Sequence, residues 1–203
     1  MKKIICYGDS NTFGFNPKDG SRYDENTLWT SILQKKLGSD YEVINEGLCD
    51  RTGFINNPKG FLFSAQKHFP KLMSKSENID ILVIWLGTND LQFQYDISIS
   101  NIKRGLEKLI ELAYEKTKNI VIMSPVILSD NILDGYFRCQ FNEASVIKSR
   151  KIARIFRQIA AINNCIYFDV NKITTPSDFD GLHYDENSHK LIANKMTEII
   201  VSL

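Results

Sequence analysis

The chain has 203 residues, 43% of them hydrophobic and 24% charged, a balance that suits one soluble domain with a sizeable core. Its 25 basic and 24 acidic residues leave a formal net charge of +1, so no strong field draws nucleic acid or an anionic membrane. No apolar stretch reaches the roughly 18–20 residues of a membrane span. The about four apolar residues between Met1-Lys2-Lys3 and Gly8 fall short of a secretory leader. A cytoplasmic protein with no membrane or nucleic-acid partner is expected.

The first apolar run, Lys3–Tyr7, ends in Gly8-Asp9-Ser10-Asn11-Thr12. An apolar run closed by small turn-forming residues predicts a buried strand feeding a tight turn, with a serine at its carboxyl edge. A long loop, Thr12–Asn26, follows. Leu28, Ile32, Leu33 and Leu37 then recur at helical spacing, and Gly38 stops the pattern. The second predicted strand, Tyr41–Asn45, runs into Asn45-Glu46-Gly47 and a second long loop, Leu48–Gly60. The third, Ile79–Leu86, precedes Gly87-Thr88-Asn89-Asp90. A helix is predicted through Ile99, Ile102, Leu106, Leu109, Ile110 and Ala113, then a strand over Ile120–Ser124 and a third long loop, Pro125–Ser145. Val146, Ile152, Ile155, Phe156, Ile159 and Ile162 mark another helix, and Ile166–Val170 the last strand. Asp180-Gly181-Leu182-His183 precedes a final helix through Ile192, Met196, Ile199 and Leu203.

The predicted strands are nearly continuous in apolar residues, as in a parallel sheet covered on both faces. Their alternation with helices predicts a three-layer α/β/α sandwich with a five-stranded, mainly parallel sheet in the flavodoxin-like order 2-1-3-4-5, one domain over residues 1–203. The long loops leave the carboxyl ends of strands, where ligands bind in open α/β sheets. They carry Phe13, Phe15, Phe54, Phe61, Tyr136, Phe137 and Phe141. Two readings of these rings stand level: an apolar substrate wall, or anchors that pin the loops to the core. They could also cover a subunit interface, which leaves a homo-oligomer open.

The cysteines at 6, 49, 139 and 165 show no C-x-x-C pair and no zinc-like cluster, so neither a metal nor a disulfide is expected. Cys6 and Cys165 read as buried hydrophobes, and Cys49 and Cys139 as partly exposed. His68 and His189 read as solvated. An isolated Asp9-Ser10 after a strand would read as a helix cap, with Asp9 accepting backbone N–H bonds. Asp9 as a phospho-acceptor lacks the acidic pair that would hold magnesium. A flavodoxin-like cofactor carrier would need several Ser, Thr or Gly donors after the first strand, of which Gly8–Gly14 supplies some; a colourless purified protein would dismiss a bound flavin.

The four polar blocks, Gly8-Asp9-Ser10-Asn11-Thr12, Asn45-Glu46-Gly47, Gly87-Thr88-Asn89-Asp90 and Asp180-Gly181-Leu182-His183, change that reading. In this order, over nearly the whole chain, they resemble the SGNH hydrolases, also called the GDSL esterase/lipase family. Asn45-Glu46-Gly47-Leu48-Cys49-Asp50-Arg51-Thr52-Gly53 and Trp29-Thr30-x-x-Leu33 look closest to its arylesterase/acyltransferase branch. The resemblance implies that Ser10 is the nucleophile, His183 the general base and Asp180 the carboxylate that orients it. It also implies an oxyanion hole from the backbone N–H groups of Ser10 and Gly47 and the side-chain amide of Asn89.

The chemistry fits these residue types. A serine hydroxyl attacks only when a base withdraws its proton, imidazole titrates near neutrality, and a carboxylate on its other nitrogen selects the tautomer. Thr12 stands where the nucleophile elbow of α/β-hydrolases has glycine, so that strained turn is not indicated. Asp178 is the lesser rival to Asp180. Arg51 either reaches substrate or pairs with an acid, and Asp90 is expected to anchor its own turn. The implied activity is serine-esterase hydrolysis of a small-molecule ester, a short-chain acyl or aryl ester, through an acyl-serine intermediate. Transfer to alcohols stays open, and neither cofactor nor metal is required. Carbohydrate O-deacetylation is the alternative. A non-catalytic binding module is disfavoured because serine, histidine and asparagine are all present.

Overall fold

Five parallel strands make one sheet in the order β2-β1-β3-β4-β5. They are β1 (Lys2–Gly8), β2 (Tyr41–Gly47), β3 (Ile81–Trp85), β4 (Asn119–Met123) and β5 (Ile166–Phe168). The computed structural model describes residues 1–203. The strand order and parallel sense are those predicted. The edges move by a residue or two: β2 runs on to Gly47, and β5 ends at Phe168 rather than Val170. Gly8 pairs with Gly47 on one side and Trp85 on the other. This register makes the first three strands end level, so the loops that follow them start side by side.

The helices are α1 (Ser10–Phe13), α2 (Trp29–Leu37), α3 (Ala65–Lys75), α4 (Ile99–Tyr114), α5 (Glu143–Ile162) and α6 (Glu186–Val201). Local chemistry starts most of them. Ser98 caps α4, Asn142 and Ser145 form a capping box on α5, and Asp185 caps α6 by accepting the Ser188 N–H at 2.8 Å. Gly38 ends α2 at φ 70°. Helices α2 and α6 pack together, while α3 lies on α4 and α4 on α5, giving the two outer layers. No helix is long and apolar enough to cross a membrane.

Helix α3 is not announced by the sequence. Only Ala65, Phe69 and Met73 bury a face, and Pro70 stands inside it. Proline lacks the N–H that a helix interior uses, which masks the pattern. Burial of Phe69 and Met73 in the core overrides that local cost.

The turn after β1 depends on two glycines. A Cβ on Gly47 would lie 2.1 Å from the Phe13 nitrogen, and one on Gly8 would lie 2.8 Å from the Trp85 carbonyl oxygen. Helix α1 therefore sits directly across the ends of β1 and β2, at a distance only glycine permits.

Candidate active site

Ser10 opens α1. Asp9, the residue before it, caps the helix, its Oδ1 accepting the Asn11 N–H at 3.0 Å. Long-range bonds hold this short helix in place. The Trp29 indole N–H donates to the Asn11 carbonyl at 3.1 Å, and Asn45 Nδ2 donates to the Thr12 carbonyl at 2.7 Å. Asp9 is 1% exposed, and burial pushes its carboxyl up to about 7 against the pull of the Asn11 N–H.

His183 and Asp180 come from one turn before α6. Asp180 Oδ1 accepts the backbone N–H groups of Leu182 and His183 at 2.9 and 2.8 Å, which shapes the turn. Its Oδ2 accepts His183 Nδ1–H at 2.6 Å. With that proton on Nδ1, Nε2 is the acceptor, and it faces Ser10 Oγ at 2.8 Å. Three residues that span 173 positions of sequence thus form one buried chain of hydrogen bonds. Asp178, the rival carboxylate, is exposed and accepts from Asn131 instead.

One of the three donors the resemblance implies, the Gly47 N–H, is already engaged. It donates to Asn45 Oδ1 at 2.9 Å, and Gly47 does not line the cavity before Ser10. Its glycine identity serves the close approach of α1. Two backbone N–H groups of the next turn, those of Cys49 and Asp50, donate to no protein acceptor, and both residues line the cavity. Asp50 takes φ 62°, a conformation that aspartate tolerates better than most residues. That tolerance was the one sequence signal for this turn. Asn89 lines the cavity as predicted, with one Nδ2 hydrogen donated to the Arg51 carbonyl at 3.1 Å. Its amide has a second hydrogen.

The cavity measures about 830 Å³. Ser10, Asn89 and His183 line it together with four aromatic residues, Phe15, Tyr136, Phe137 and Phe179. Phe15 and Phe137 flank the His183 ring, with centroids at 4.3 and 5.5 Å. Phe54 and Phe141 are instead buried in the core. The loop aromatics thus divide, some lining the cavity and others pinning their loops to the core. Burial and the Asp50 charge push the Cys49 thiol up to about 11, which favours the neutral thiol near neutral pH. No cluster of His, Cys, Asp and Glu is placed to hold a metal ion.

The family model of GDSL-like lipases and acylhydrolases matches residues 6–191, which include every residue of this site. The chain belongs to that family. This GDSL-like acylhydrolase is similar to the native aryl esterase of M. smegmatis, with a TM-score of 0.91 and 27% identity over 100% of both chains. It is likewise similar to a carbohydrate acetylesterase family member from Sinorhizobium meliloti, with a TM-score of 0.89 and 27% identity over 98% of this chain and 97% of that one. The lipase/acylhydrolase from Enterococcus faecalis shares the fold, with a TM-score of 0.69 and 19% identity over 98% and 95% of the two chains. No curated protein matches the sequence.

Several polar residues of the GDSL-like chain take structural posts that the sequence left open or misplaced. Asp90 anchors the neighbouring loop rather than its own turn, accepting the N–H groups of Gly53 and Phe54 at 2.6 and 2.7 Å. Arg51 pairs with no carboxylate and does not line the cavity; it donates to backbone carbonyls. His189 is buried, not solvated, and accepts the Trp29 N–H. His68 is half-buried, with Nδ1 3.2 Å from the Tyr7 hydroxyl. Cys165 is half-buried, beside Tyr114 at 3.6 Å.

Proposed function

We propose that the protein is a serine esterase working through an acyl-Ser10 intermediate. The observation that carries this reading is the bond chain from Ser10 Oγ through His183 to Asp180, at 2.8 and 2.6 Å, in the lining of an aromatic cavity. Ser10 attacks the ester carbonyl while His183 Nε2 takes its proton. Asp180 holds the ring and stabilises the imidazolium. The tetrahedral oxyanion is met by the Ser10 N–H, an amide of the Cys49–Asp50 turn and the second hydrogen of Asn89 Nδ2. Each such donor is worth about a hundredfold to a thousandfold in rate. His183 then protonates the leaving alcohol and activates the water that frees the acid.

The charge along the cavity bears on the substrate. Lys59 pairs with Asp50 at 2.6 Å and Lys18 with Glu186 at 3.1 Å, so both lysines lining the cavity are matched. A balanced, aromatic-lined cavity favours a neutral ester with an apolar or aryl group over an anionic one. The likeness to the M. smegmatis aryl esterase points the same way. The likeness to the S. meliloti carbohydrate acetylesterase family member, with Asp19, Asp50, Lys59 and Gln140 along the cavity, supports acetylated sugars as the second reading. Hydrolysis of an aryl acetate against acetylated xylose separates the two.

The reading itself is tested by intact mass after incubation with a fluorophosphonate. One adduct on the wild type and none on Ser10→Ala is the expected result. An unlabelled, folded wild type would overturn it and favour a binding module.

A further inference from the structure

Arg51 is a buried cation with no ion pair of its own; burial disfavours its charged form, and the Glu46 and Asp9 charges act on it only from a distance. It is 3% exposed, and the ion pairs of the chain involve Lys18, Lys59, Arg150, His183 and Lys195 instead. Burying an unpaired charge is unfavourable unless hydrogen bonds replace its hydration. Here three backbone carbonyls do so. Nη1 donates to Gly8 O at 2.9 Å and to Glu46 O, and Nε donates to Leu62 O at 3.2 Å. Its Cζ lies over the Tyr7 ring, 4.4 Å from the centroid, a cation–π contact.

These acceptors lie where the donors of the site begin. Gly8 ends β1 two residues before Ser10, and Glu46 is the penultimate residue of β2. The main chain of Arg51 continues the same task. Its N–H donates to Leu48 O at 3.2 Å, closing the turn over Cys49 and Asp50. Its carbonyl accepts Asn89 Nδ2 at 3.1 Å, which aims the rest of that amide.

We infer that Arg51 is the positioning residue of the oxyanion hole, clamping the ends of β1 and β2, the Cys49–Asp50 turn and the Asn89 amide into one rigid frame. The role rests on the serine-esterase reading of the same site. It explains why a fork-shaped donor stands there. Lysine offers a point charge and cannot reach three carbonyls from three segments while lying over a ring.

The test is a double-mutant cycle on kcat with an aryl acetate, using Arg51→Lys, Asn89→Ala and the pair, with circular dichroism and melting as controls of folding. Arg51→Lys is expected to lower kcat about tenfold or more while KM stays within about threefold, because a misplacement near 1 Å costs up to about a hundredfold. In the Asn89→Ala background the same change loses less, so the double loss falls short of the product by at least about threefold. A residue that served stability alone would lower the melting temperature and give multiplicative losses. A kcat for Arg51→Lys within about twofold of wild type, or losses that multiply, overturns the proposal. If Arg51→Lys does not fold, Arg51→Met, similar in volume, takes its place; failure of both to fold makes Arg51 a folding residue and overturns the role. Fluorophosphonate labelling of the wild type separates the two levels: an unlabelled wild type sinks the esterase reading, whereas a labelled one with indifferent Arg51 variants sinks only this proposal.

Discussion

The Trp29 amide donates to His189 Nδ1 at 3.1 Å and so joins the first residue of α2 to the first turn of α6. His189 is 1% exposed, and burial lowers its ring to about 3, with the Asp185 charge opposing and His183 adding. Between about 3 and 6.5 the unfolded chain therefore binds this proton and the folded one does not. The stability from a neutral His189 is fully present above 6.5 and drains away as pH falls through that window. His189→Gln keeps a carbonyl acceptor for Trp29 without the titration. Its melting temperature is expected to depend less on pH from 6.5 down to 4 than that of the wild type; parallel profiles would refute the account.

Asp9 works with the opposite sign. Its folded value of about 7 stands above the ordinary 3.8, so the folded chain holds the proton more tightly. The contribution is fully present below 3.8 and is lost as pH rises through 7. Asp9→Asn keeps the helix cap and discards the buried charge. The difference in melting temperature, variant minus wild type, should be more positive at pH 8 than at pH 4. Equal differences at the two pH values would count against a buried proton on Asp9.

Gly47 is required for packing. An added Cβ meets the backbone of Phe13 and Thr12 at 2.1–2.6 Å, and neither can yield like a side-chain tip. Gly47→Ala is expected to destabilise by about 1–3 kcal/mol in urea unfolding. It should also displace Ser10, so kcat falls with stability. An alanine variant as stable as the wild type would show that α1 is not seated as described.

In the proposed oxyanion set Asn89 is the one side-chain donor. Asn89→Ala should raise the barrier by about 2.7–4 kcal/mol, seen as a fall in kcat with KM little changed. A change confined to KM would place Asn89 in ground-state binding instead.

Much of this molecule is readable in one dimension. Continuous apolar runs such as Ile81–Trp85 predict buried parallel strands, and the stripe from Ile99 to Ala113 predicts α4, because strand and helix periods follow from local backbone geometry. Ser10, Asn89, Asp180 and His183 are also legible, since each sits in a short polar block at a strand or helix boundary. The hydrogen bonds that join Ser10, His183 and Asp180 are a property of the fold, set by the register that aligns Gly8 with Gly47 and Trp85.

Other assignments had no local signature. Whether the Gly47 N–H is free depends on where Asn45 turns its amide, and the role of Arg51 depends on carbonyls up to 43 positions away. Phe15 and Phe54 look alike in sequence, yet one ring rests on His183 and the other on Phe156. The sequence by itself determined the elements, their order and the polar blocks that meet at the cavity, because sterics, periodicity and turn chemistry act over a few residues. Only the tertiary structure decided which donors face the cavity and which buried groups stay neutral, because hydrogen bonding and desolvation are set by neighbours brought together from distant parts of the chain.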